Sequence, residues 1–243
     1  MSNSVIKYLK SLSQSKYRQM YNNFVVEGNK MLDMILNQNE FEIECIAYRK
    51  SNIEIEDKLQ SLGCPIYAFD NKQMSQISLL KSPSDVFIVL KKQEFKLSTH
   101  ANKIFYLDGI QDPGNVGTIV RIADWFGIDT LIRNQETADF YHPKVIQASM
   151  GSFLNVKLIN DDENIDFSTT YNIYGADMTG VEIENVTFEE KSMIVLGSEG
   201  HGISKKMNQV IQTFISIKGS KKRMAESLNV ANAAAIIAYK MSN

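Results

Sequence analysis

The sequence predicts an α/β fold in which a mostly parallel sheet has helices on both faces. Short apolar runs rich in Val, Ile, Phe and Tyr alternate with amphipathic stretches along the chain, a pattern typical of α/β layering. With 44% hydrophobic residues, 22% charged residues and four prolines among 243 residues, the composition excludes a disordered or collagen-like chain. The length permits one large domain or two modest ones.

The first half holds enough alternating segments to close a small α/β domain. Its predicted strands are 24–27, 43–48, 66–69 and 86–91, and its predicted helices are 29–37, 53–62 and 71–80. From Lys92 to Asn102 the sequence turns polar, and a new apolar strand follows. We therefore predict two domains, residues 1–95 and 103–243.

The second half continues the alternation with more strands than helices. Its predicted strands are 103–108, 129–132, 153–158, 172–176, 193–196 and 213–217, and its predicted helices are 116–126, 143–150, 203–208 and 228–241. Ligands of such sheets bind at the carboxyl ends of strands. The loops that follow residues 108, 196 and 217 are therefore the candidates for chemistry.

Several protein classes are excluded by the same inspection. Uninterrupted apolar runs such as Val86 to Leu90 are far shorter than the roughly 20 residues of a membrane-spanning helix. The first 23 residues are polar and lack the apolar core of a secretory signal. Two cysteines and three scattered histidines provide neither a disulfide scaffold nor zinc-ligand spacing. We expect a reduced, metal-free cytoplasmic protein.

Basic side chains concentrate in two places, although the net charge is only −2. Residues 1–23 contain no acids and four basic residues: Lys7, Lys10, Lys16 and Arg18. The second group, near the other end, is Lys218, Lys221, Lys222 and Arg223. Either group could contact phosphate or could simply be solvated surface.

The first candidate loop leads into a helix with one clearly polar position. The segment DGIQDPGNVGTIVRIADWFGI runs from Asp108 to Ile128, and Asn115 stands where a helix N-cap is expected. At about 100° per residue, Arg121 points roughly 150° away from the apolar face of this helix. Arg121 is therefore either an exposed structural residue or a substrate contact.

The second and third loops combine small residues with a few polar groups. In IVLGSEGHGI, from Ile194 to Ile203, the glycines follow neither the GxGxxG nor the GxxxxGK order, and Glu199 is the ionisable group inside the loop. In the third segment, Ser227 or Asn229 can cap an alanine-rich final helix that could pack closely on a neighbour. A turn-capping role for Glu199 is the alternative to a role in a site.

Taken together, the three loops resemble the motifs of the SpoU/TrmH family of RNA ribose 2′-O-methyltransferases. The carrying motifs are NxGxxxR, then LGSEGxG after a strand, then SLNVxxAAAI, with PKVIQASMGSF from Pro143 to Phe153 between the first two. The likeness covers roughly Lys103 to the C terminus. The opening, with KYR at 16–18 and FVVEG at 24–28, is similar to a ribosomal-protein-like substrate-binding domain found in front of that family's catalytic domain.

The resemblance implies a SPOUT fold with a deep trefoil knot, S-adenosylmethionine as the cofactor and a homodimer with no membrane or metal partner. It implies catalytic roles for Asn115, Arg121, Glu199, Ser227 and Asn229. It implies a cofactor cradle that includes Leu196, Gly197, Gly200, Ile217 and Leu228. We expect RNA contacts at Lys16, Arg18, Lys221, Lys222 and Arg223.

Three departures from the family pattern bear on this expectation. Ser216 stands where the family commonly has proline, which could loosen the end of its strand. The segment SKKRM, 220–224, lengthens the approach to Ser227 by about four residues, and it either adds an RNA contact or distorts the third motif. In the front domain, SPSDV at 82–86 replaces a proline-glutamine-glycine turn.

We therefore expect methyl transfer from S-adenosylmethionine to a ribose 2′-hydroxyl of structured RNA, with ribosomal RNA favoured over tRNA. A guanidinium is always charged, so Arg121 is expected to act electrostatically on a phosphate and on the developing alkoxide. One alternative is an inactive RNA-binding or ribosome-assembly protein of the same fold, which the presence of the motif residues disfavours. A second is a nucleotide-dependent oxidoreductase, which the glycine order disfavours.

Overall fold

Residues 2–38, 40–98, 100–161, 167 and 169–242 are described by the structure, a computed structural model. The chain divides into two compact units. The first contains residues 1–93 and 141–147, and the second contains residues 94–140 and 148–243. In the described part of the chain, no helix has the length and apolar character needed to cross a membrane.

The first unit is a four-stranded mixed sheet with short helices. Its helices are α1 Ser2–Ser11, α2 Ser15–Tyr21, α3 Asn29–Gln38, α4 Ile53–Leu59 and α5 Asn71–Ile77. Its strands are β1 Asn23–Glu27, β2 Ile43–Arg49, β3 Ile66–Phe69 and β4 Val86–Lys91. The order is β1-β4-β2-β3, in which β2 and β3 are parallel and β4 runs antiparallel to both of its neighbours.

Helices α1 and α2 were not predicted. In the sequence, this region differs from the rest only in its excess of basic residues. Leu9 and Leu12 are buried in the core of the unit, and α1 packs against α5. Arg18 is 1% exposed, and its guanidinium donates to the carbonyls of Leu12 at 3.2 Å and Ser13 at 2.9 Å. The predicted phosphate contact of Arg18 is therefore wrong, because its buried guanidinium binds the carbonyls that follow α1.

The second unit is a six-stranded sheet in which all pairings are parallel, as the sequence predicted. Its strands are β5 Lys103–Asp108, β6 Thr130–Arg133, β7 Lys157–Asn160, β8 Asn172–Glu182, β9 Ser192–Gly197 and β10 Thr213–Ser216. The order is β10-β8-β9-β5-β6-β7. Its helices are α6 Pro113–Trp125, α8 Lys205–Asn208 and α9 Val230–Ser242, while α7 Pro143–Ser149 begins in the segment that belongs to the first unit.

The central strands of this sheet are buried on both faces. Ile104 and Tyr106 of β5 share a core cluster with Met207 of α8. Phe105 and Leu107 are also fully buried, and alternation along a strand directs them to the opposite face. Helix α9 packs against α6 and β9, and its buried residues include the small Ala231, Ala234 and Ala238.

Two strand predictions in the second unit have the wrong bounds. The strand expected at 153–158 begins only at Lys157, because Gly151, at φ +98°, turns the chain into a 3₁₀ turn at Ser152–Leu154. The strand expected at 172–176 continues to Glu182 as β8. The Ser216 hydroxyl donates to the Gly180 carbonyl of β8 at 2.8 Å, which ties the end of β10 to β8.

Candidate active site

The three candidate loops meet at one edge of the parallel sheet. Strands β5, β9 and β10 end at Asp108, Gly197 and Ser216, and Asp108 pairs in register with Gly197. The following segments are the approach to α6, the loop 198–204 and the segment 217–229, which leads into α9. Because carboxyl ends of parallel strands lie at the same edge, residues far apart in sequence converge there.

Helix α6 is capped by Asp112 and not, as predicted, by Asn115. The Asp112 carboxylate accepts hydrogen bonds from the backbone N–H groups of Gly114 at 2.5 Å and Asn115 at 3.3 Å. Pro113 occupies the first helical position, where a missing N–H costs nothing. Since Asp112 satisfies the helix start, the Asn115 carboxamide is available for long-range contacts.

Asn115, Glu199 and Asn229 form a closed network of hydrogen bonds. Asn115 Nδ2 donates to Glu199 Oε1 at 2.9 Å. Asn229 Nδ2 donates to Asn115 Oδ1 at 3.0 Å and to Glu199 Oε1 at 3.0 Å. One carboxylate oxygen therefore joins α6, the loop after β9 and the start of α9.

Asn229 also caps α9, one of the two roles considered for it. Its Oδ1 accepts from the N–H groups of Ala231 at 3.0 Å and Asn232 at 3.3 Å. The Val230 N–H points to Glu199 Oε1 at 3.5 Å. The start of α9 is thus fixed by the same side chains that form the network.

The loop that carries Glu199 folds back tightly on the end of β9. Ser198 and Gly202 exchange two backbone hydrogen bonds of 3.0 and 2.8 Å, and the His201 N–H donates to the Ser198 hydroxyl at 3.1 Å. A Cβ on Gly197 would lie 2.5 Å from the Gly202 backbone, so a side chain there would open the loop. Glu199 stands at the tip of this turn.

Arg121 lies two turns into α6 on its exposed face, as the helical periodicity predicts. Within the described residues its guanidinium has no hydrogen-bond or ion-pair partner. The residue one turn later on the same helix, Trp125, is 82% exposed. Arg121 therefore keeps a charge and five N–H donors for a ligand.

A cavity of about 330 Å³ lies between the ends of β8, β9 and β10 and the start of α9. Its apolar wall is formed by Leu196, Ile215, Ile217, Leu228, Val230 and Ile237. Its charged lining residues are Asp177, Glu199 and Glu226, and no Lys or Arg joins them in the described chain. Hydrogen bonds from Thr179 hold the pKa of Asp177 below its usual range. The cavity suits a ligand with an apolar part and a positive charge.

Most residues expected in the cofactor cradle line this cavity. Leu196, Gly197, Ile217 and Leu228 do so, and so does Ser227, whose hydroxyl has no partner in the described part of the molecule. Gly200 does not line it and lies at the open end of the Glu199 turn. Sequence reasoning missed Asp112, Asp177 and Glu226; of these, the Asp-Pro pair at 112–113 was a recognisable helix-start signal.

The basic side chains predicted to contact RNA differ in whether they are already engaged with other residues. Lys16 is exposed, with its ammonium 5.8 Å from the centre of the Tyr17 ring. The side chains of Lys221, Lys222 and Arg223 are exposed and make no ion pair with the described residues. Lys218, in contrast, pairs with Glu182 at 2.9 Å. The segment 220–224 therefore presents unneutralised charge beside the third motif.

Comparison with known families agrees with this geometry. Residues 102–239 match the model of the SpoU rRNA methylase family, and residues 3–87 match an MRM3-like substrate binding domain. Over 244 residues the chain is 28% identical to the 23S rRNA (guanosine(2553)-2′-O)-methyltransferase RlmP of Bacillus subtilis, covering 98% of this chain and 96% of the relative.

Two solved structures show the same fold over almost the whole chain. A TrmH-family structure from Porphyromonas gingivalis has 31% identity and a TM-score of 0.85, covering 97% of this chain and 96% of its own. The methyltransferase AviRb from Streptomyces viridochromogenes, solved with AdoMet, has 21% identity and a TM-score of 0.88, covering 98% and 96%.

Proposed function

We propose, from the premise that this chain belongs to the SpoU rRNA methylase family, that it transfers a methyl group from S-adenosylmethionine to a ribose 2′-hydroxyl of ribosomal RNA. The observation that carries the proposal is the Asn115–Glu199–Asn229 network beside a cavity lined by carboxylates. Two relatives are named 23S rRNA 2′-O-methyltransferases, and tRNA is the less favoured substrate.

The cavity residues fit S-adenosylmethionine. A volume of about 330 Å³ lies within the range of small-molecule sites, roughly 300–1,000 Å³. Leu196, Ile217 and Leu228 would hold the adenine, and the nearby carboxylates would favour the positive sulfonium. When bound, the cofactor supplies an electrophilic methyl group. The tight turn at Gly197 keeps the loop edge of the cavity closed.

Arg121 is the residue that faces the RNA in this proposal. A ribose hydroxyl is a weak nucleophile at neutral pH, so the charge that develops on its oxygen must be stabilised. The exposed guanidinium of Arg121 binds a phosphate beside the target ribose and stabilises the developing alkoxide. A phosphate or a water molecule takes the proton of the 2′-hydroxyl. Asn115, Glu199 and Asn229 fix the helix that carries Arg121 against the cofactor loops, and Ser227 orients the ligands.

RNA selection is assigned to residues 1–95 and methyl transfer to residues 103–243. The match of residues 3–87 to a substrate binding domain supports the first assignment. Lys16 in the first domain and Lys221, Lys222 and Arg223 in the second offer free charges to phosphates. Because its expected substrate is ribosomal RNA, we place the protein in the cytoplasm.

The active form is proposed to be a homodimer whose chains carry the family's trefoil knot. Helices α6 and α9 pack together and leave three large apolar side chains exposed: Trp125 at 82%, Tyr239 at 63% and Ile236 at 40%. The Phe126 and Tyr239 rings lie 6.3 Å apart, so this apolar surface is shared by both helices. Burying it against a second copy would remove it from water.

The test is methylation of ribosomal RNA by purified protein. Transcribed ribosomal RNA and tRNA are incubated with methyl-labelled S-adenosylmethionine, and 2′-O-methyl positions are mapped with wild type and with Arg121→Ala. We expect one labelled ribose in ribosomal RNA that the variant fails to label. RNA binding without methyl transfer by the wild type would instead support the inactive RNA-binding alternative.

A further inference from the structure

We infer that Asp108 is a positioning residue whose carboxylate fixes the exit of the Glu199 loop at the end of β5, where the loop also enters. Asp108 is the last residue of β5 and is 2% exposed. Its Oδ1 accepts a 2.6 Å hydrogen bond from Asn134 Nδ2, and its Oδ2 accepts a 2.6 Å hydrogen bond from the Ser204 N–H. Neither Lys nor Arg contacts this carboxylate in the described residues.

The two ends of the Glu199 loop converge on this one residue. At the entrance, Gly197 is the register partner of Asp108 in the β5–β9 pairing. At the exit, Ser204 binds the Asp108 carboxylate through its N–H and caps α8 by accepting from the Met207 N–H at 3.3 Å. The loop between these anchors must place Glu199 within hydrogen-bond distance of Asn115 and Asn229. Such placement tolerates errors of only about 0.5 Å.

The orientation of the Asn134 amide toward Asp108 is fixed by its other hydrogen bonds. Its Oδ1 accepts from the N–H groups of Gly109 at 3.0 Å and Thr137 at 3.1 Å. The amide is therefore held with Nδ2 directed at Asp108. Both oxygens of the Asp108 carboxylate face donors whose orientation the backbone dictates.

Packing alone does not require a carboxylate at position 108. A buried carboxylate without a cation costs folding free energy, so an apolar residue would serve packing better. An amide at this position would direct its own NH₂ at either Asn134 or Ser204 and would leave two donors facing each other. We therefore assign the two acceptor oxygens of Asp108 to holding the loop in position. This inference rests on the proposed methyl transfer at this site.

The test exchanges donor and acceptor between the two side chains. Asp108→Asn places an NH₂ against a donor, and Asn134→Asp places a carboxylate against a carboxylate. The double variant D108N/N134D restores every contact. In it, the introduced amide at position 108 accepts from the Ser204 N–H through its oxygen and donates through its NH₂ to the introduced carboxylate at position 134. S-adenosylmethionine affinity is measured by calorimetry, folding by thermal unfolding, and kcat and KM with ribosomal RNA.

We expect each single variant to bind S-adenosylmethionine about tenfold or more weakly, and the double variant to return to within about threefold of wild type. Glu27→Gln is the matched control, since Glu27 in the other unit also accepts from a backbone N–H, that of Leu79 at 2.8 Å, and from a hydroxyl. It should leave cofactor affinity unchanged.

Two results would overturn the inference. One is wild-type affinity and kcat in folded Asp108→Asn. The other is a folded double variant that stays as impaired as the singles. If both singles fail to fold, the double variant still decides, because only restored donor–acceptor pairing predicts its recovery. Failure of the wild type itself to bind the cofactor or methylate RNA would count against the proposed function.

Discussion

Asn115 Nδ2 donates a 2.9 Å hydrogen bond to Oε1 of Glu199, a residue 84 positions further along the chain. The same oxygen accepts from Asn229 Nδ2 at 3.0 Å. Three segments with no local reason to meet are therefore held by one carboxylate oxygen. The consequences of this arrangement, and of the surfaces around it, are measurable.

Glu199→Ala should weaken S-adenosylmethionine binding by about tenfold or more. The change leaves the amides of Asn115 and Asn229 without their shared acceptor and frees the loop that lines the cavity. Glu199→Gln keeps one oxygen acceptor and should retain more affinity than the alanine variant. Calorimetry on both, with the exposed Glu189→Ala as control, measures the difference. Equal affinity in all four proteins would assign Glu199 to turn capping alone.

Arg121→Ala should lower kcat about 100- to 1,000-fold while S-adenosylmethionine affinity changes less than about twofold. The guanidinium is exposed on α6, does not line the cavity and is proposed to stabilise charge on the reacting oxygen. Arg121→Lys keeps a point charge without the planar fork and should fall between. Single-turnover methylation and calorimetry separate the two effects. A normal rate with tenfold weaker cofactor binding would contradict the assignment.

Replacing Lys221, Lys222 and Arg223 with Ala should reduce the slope of log RNA affinity against log salt by about 2 to 3. This follows from roughly 0.7 to 0.9 per neutralised phosphate. RNA affinity is measured at several salt concentrations. The matched control replaces Lys58, Lys91 and Lys218, which already pair with Asp33, Glu42 and Glu182. An unchanged slope in the first variant would make the cluster solvated surface.

Trp125→Glu should convert the proposed dimer into a monomer. Trp125 is the only tryptophan and is 82% exposed, so dimerisation through α6 and α9 would bury it and shift its emission to shorter wavelength as concentration rises. Sedimentation of wild type and variant gives the mass directly. Met20→Glu, at a 69% exposed apolar residue of the first unit, is the control. A dimeric Trp125→Glu protein would place the interface elsewhere.

Asp85→Asn should reduce stability at neutral pH but not in strong acid. Asp85 accepts from Arg49 Nε at 2.5 Å and Asn52 Nδ2 at 3.0 Å, and these hydrogen bonds, led by that of Arg49, hold its pKa below the ordinary 3.8. Its stabilisation is therefore fully present above pH 3.8 and is lost as pH falls through the lower folded-state pKa.

Urea unfolding of wild type and Asp85→Asn between pH 7 and pH 3 checks this. The difference between the two stabilities should shrink as the pH falls below 3.8, whereas Asp57→Asn, an exposed carboxylate of the same unit, should show a small and constant difference. A gap that persists unchanged below pH 3.8 would mean that Arg49 and Asn52 contribute nothing through the Asp85 charge. Asp85 lies in the turn at 82–86, so such a result would also mean that its carboxylate does not stabilise this turn.

Features that depend on neighbours along the chain could be predicted from the sequence. The apolar run of β5 predicted a buried strand of the sheet, and the helical spacing around Arg121 predicted that its side chain is exposed. Both predictions succeed because strand and helix periodicities are local. The positive charge of Arg18, in contrast, led to the wrong prediction of a phosphate contact. Nothing local shows that its guanidinium reaches the Leu12 and Ser13 carbonyls and not solvent.

Contacts between polar residues far apart in the chain could not be predicted, because they depend on how the strands are ordered in the sheet. Asn115 was expected to cap α6, and no contact was predicted for Asp108, because nothing within its own strand shows that its carboxylate meets Asn134 and the Ser204 N–H. The strand order β10-β8-β9-β5-β6-β7 places β9 beside β5 and brings Glu199, Asn115 and Asn229 together across separations of 30 to 114 residues. Hydrogen bonds form over about 3 Å in space, whatever the separation along the chain.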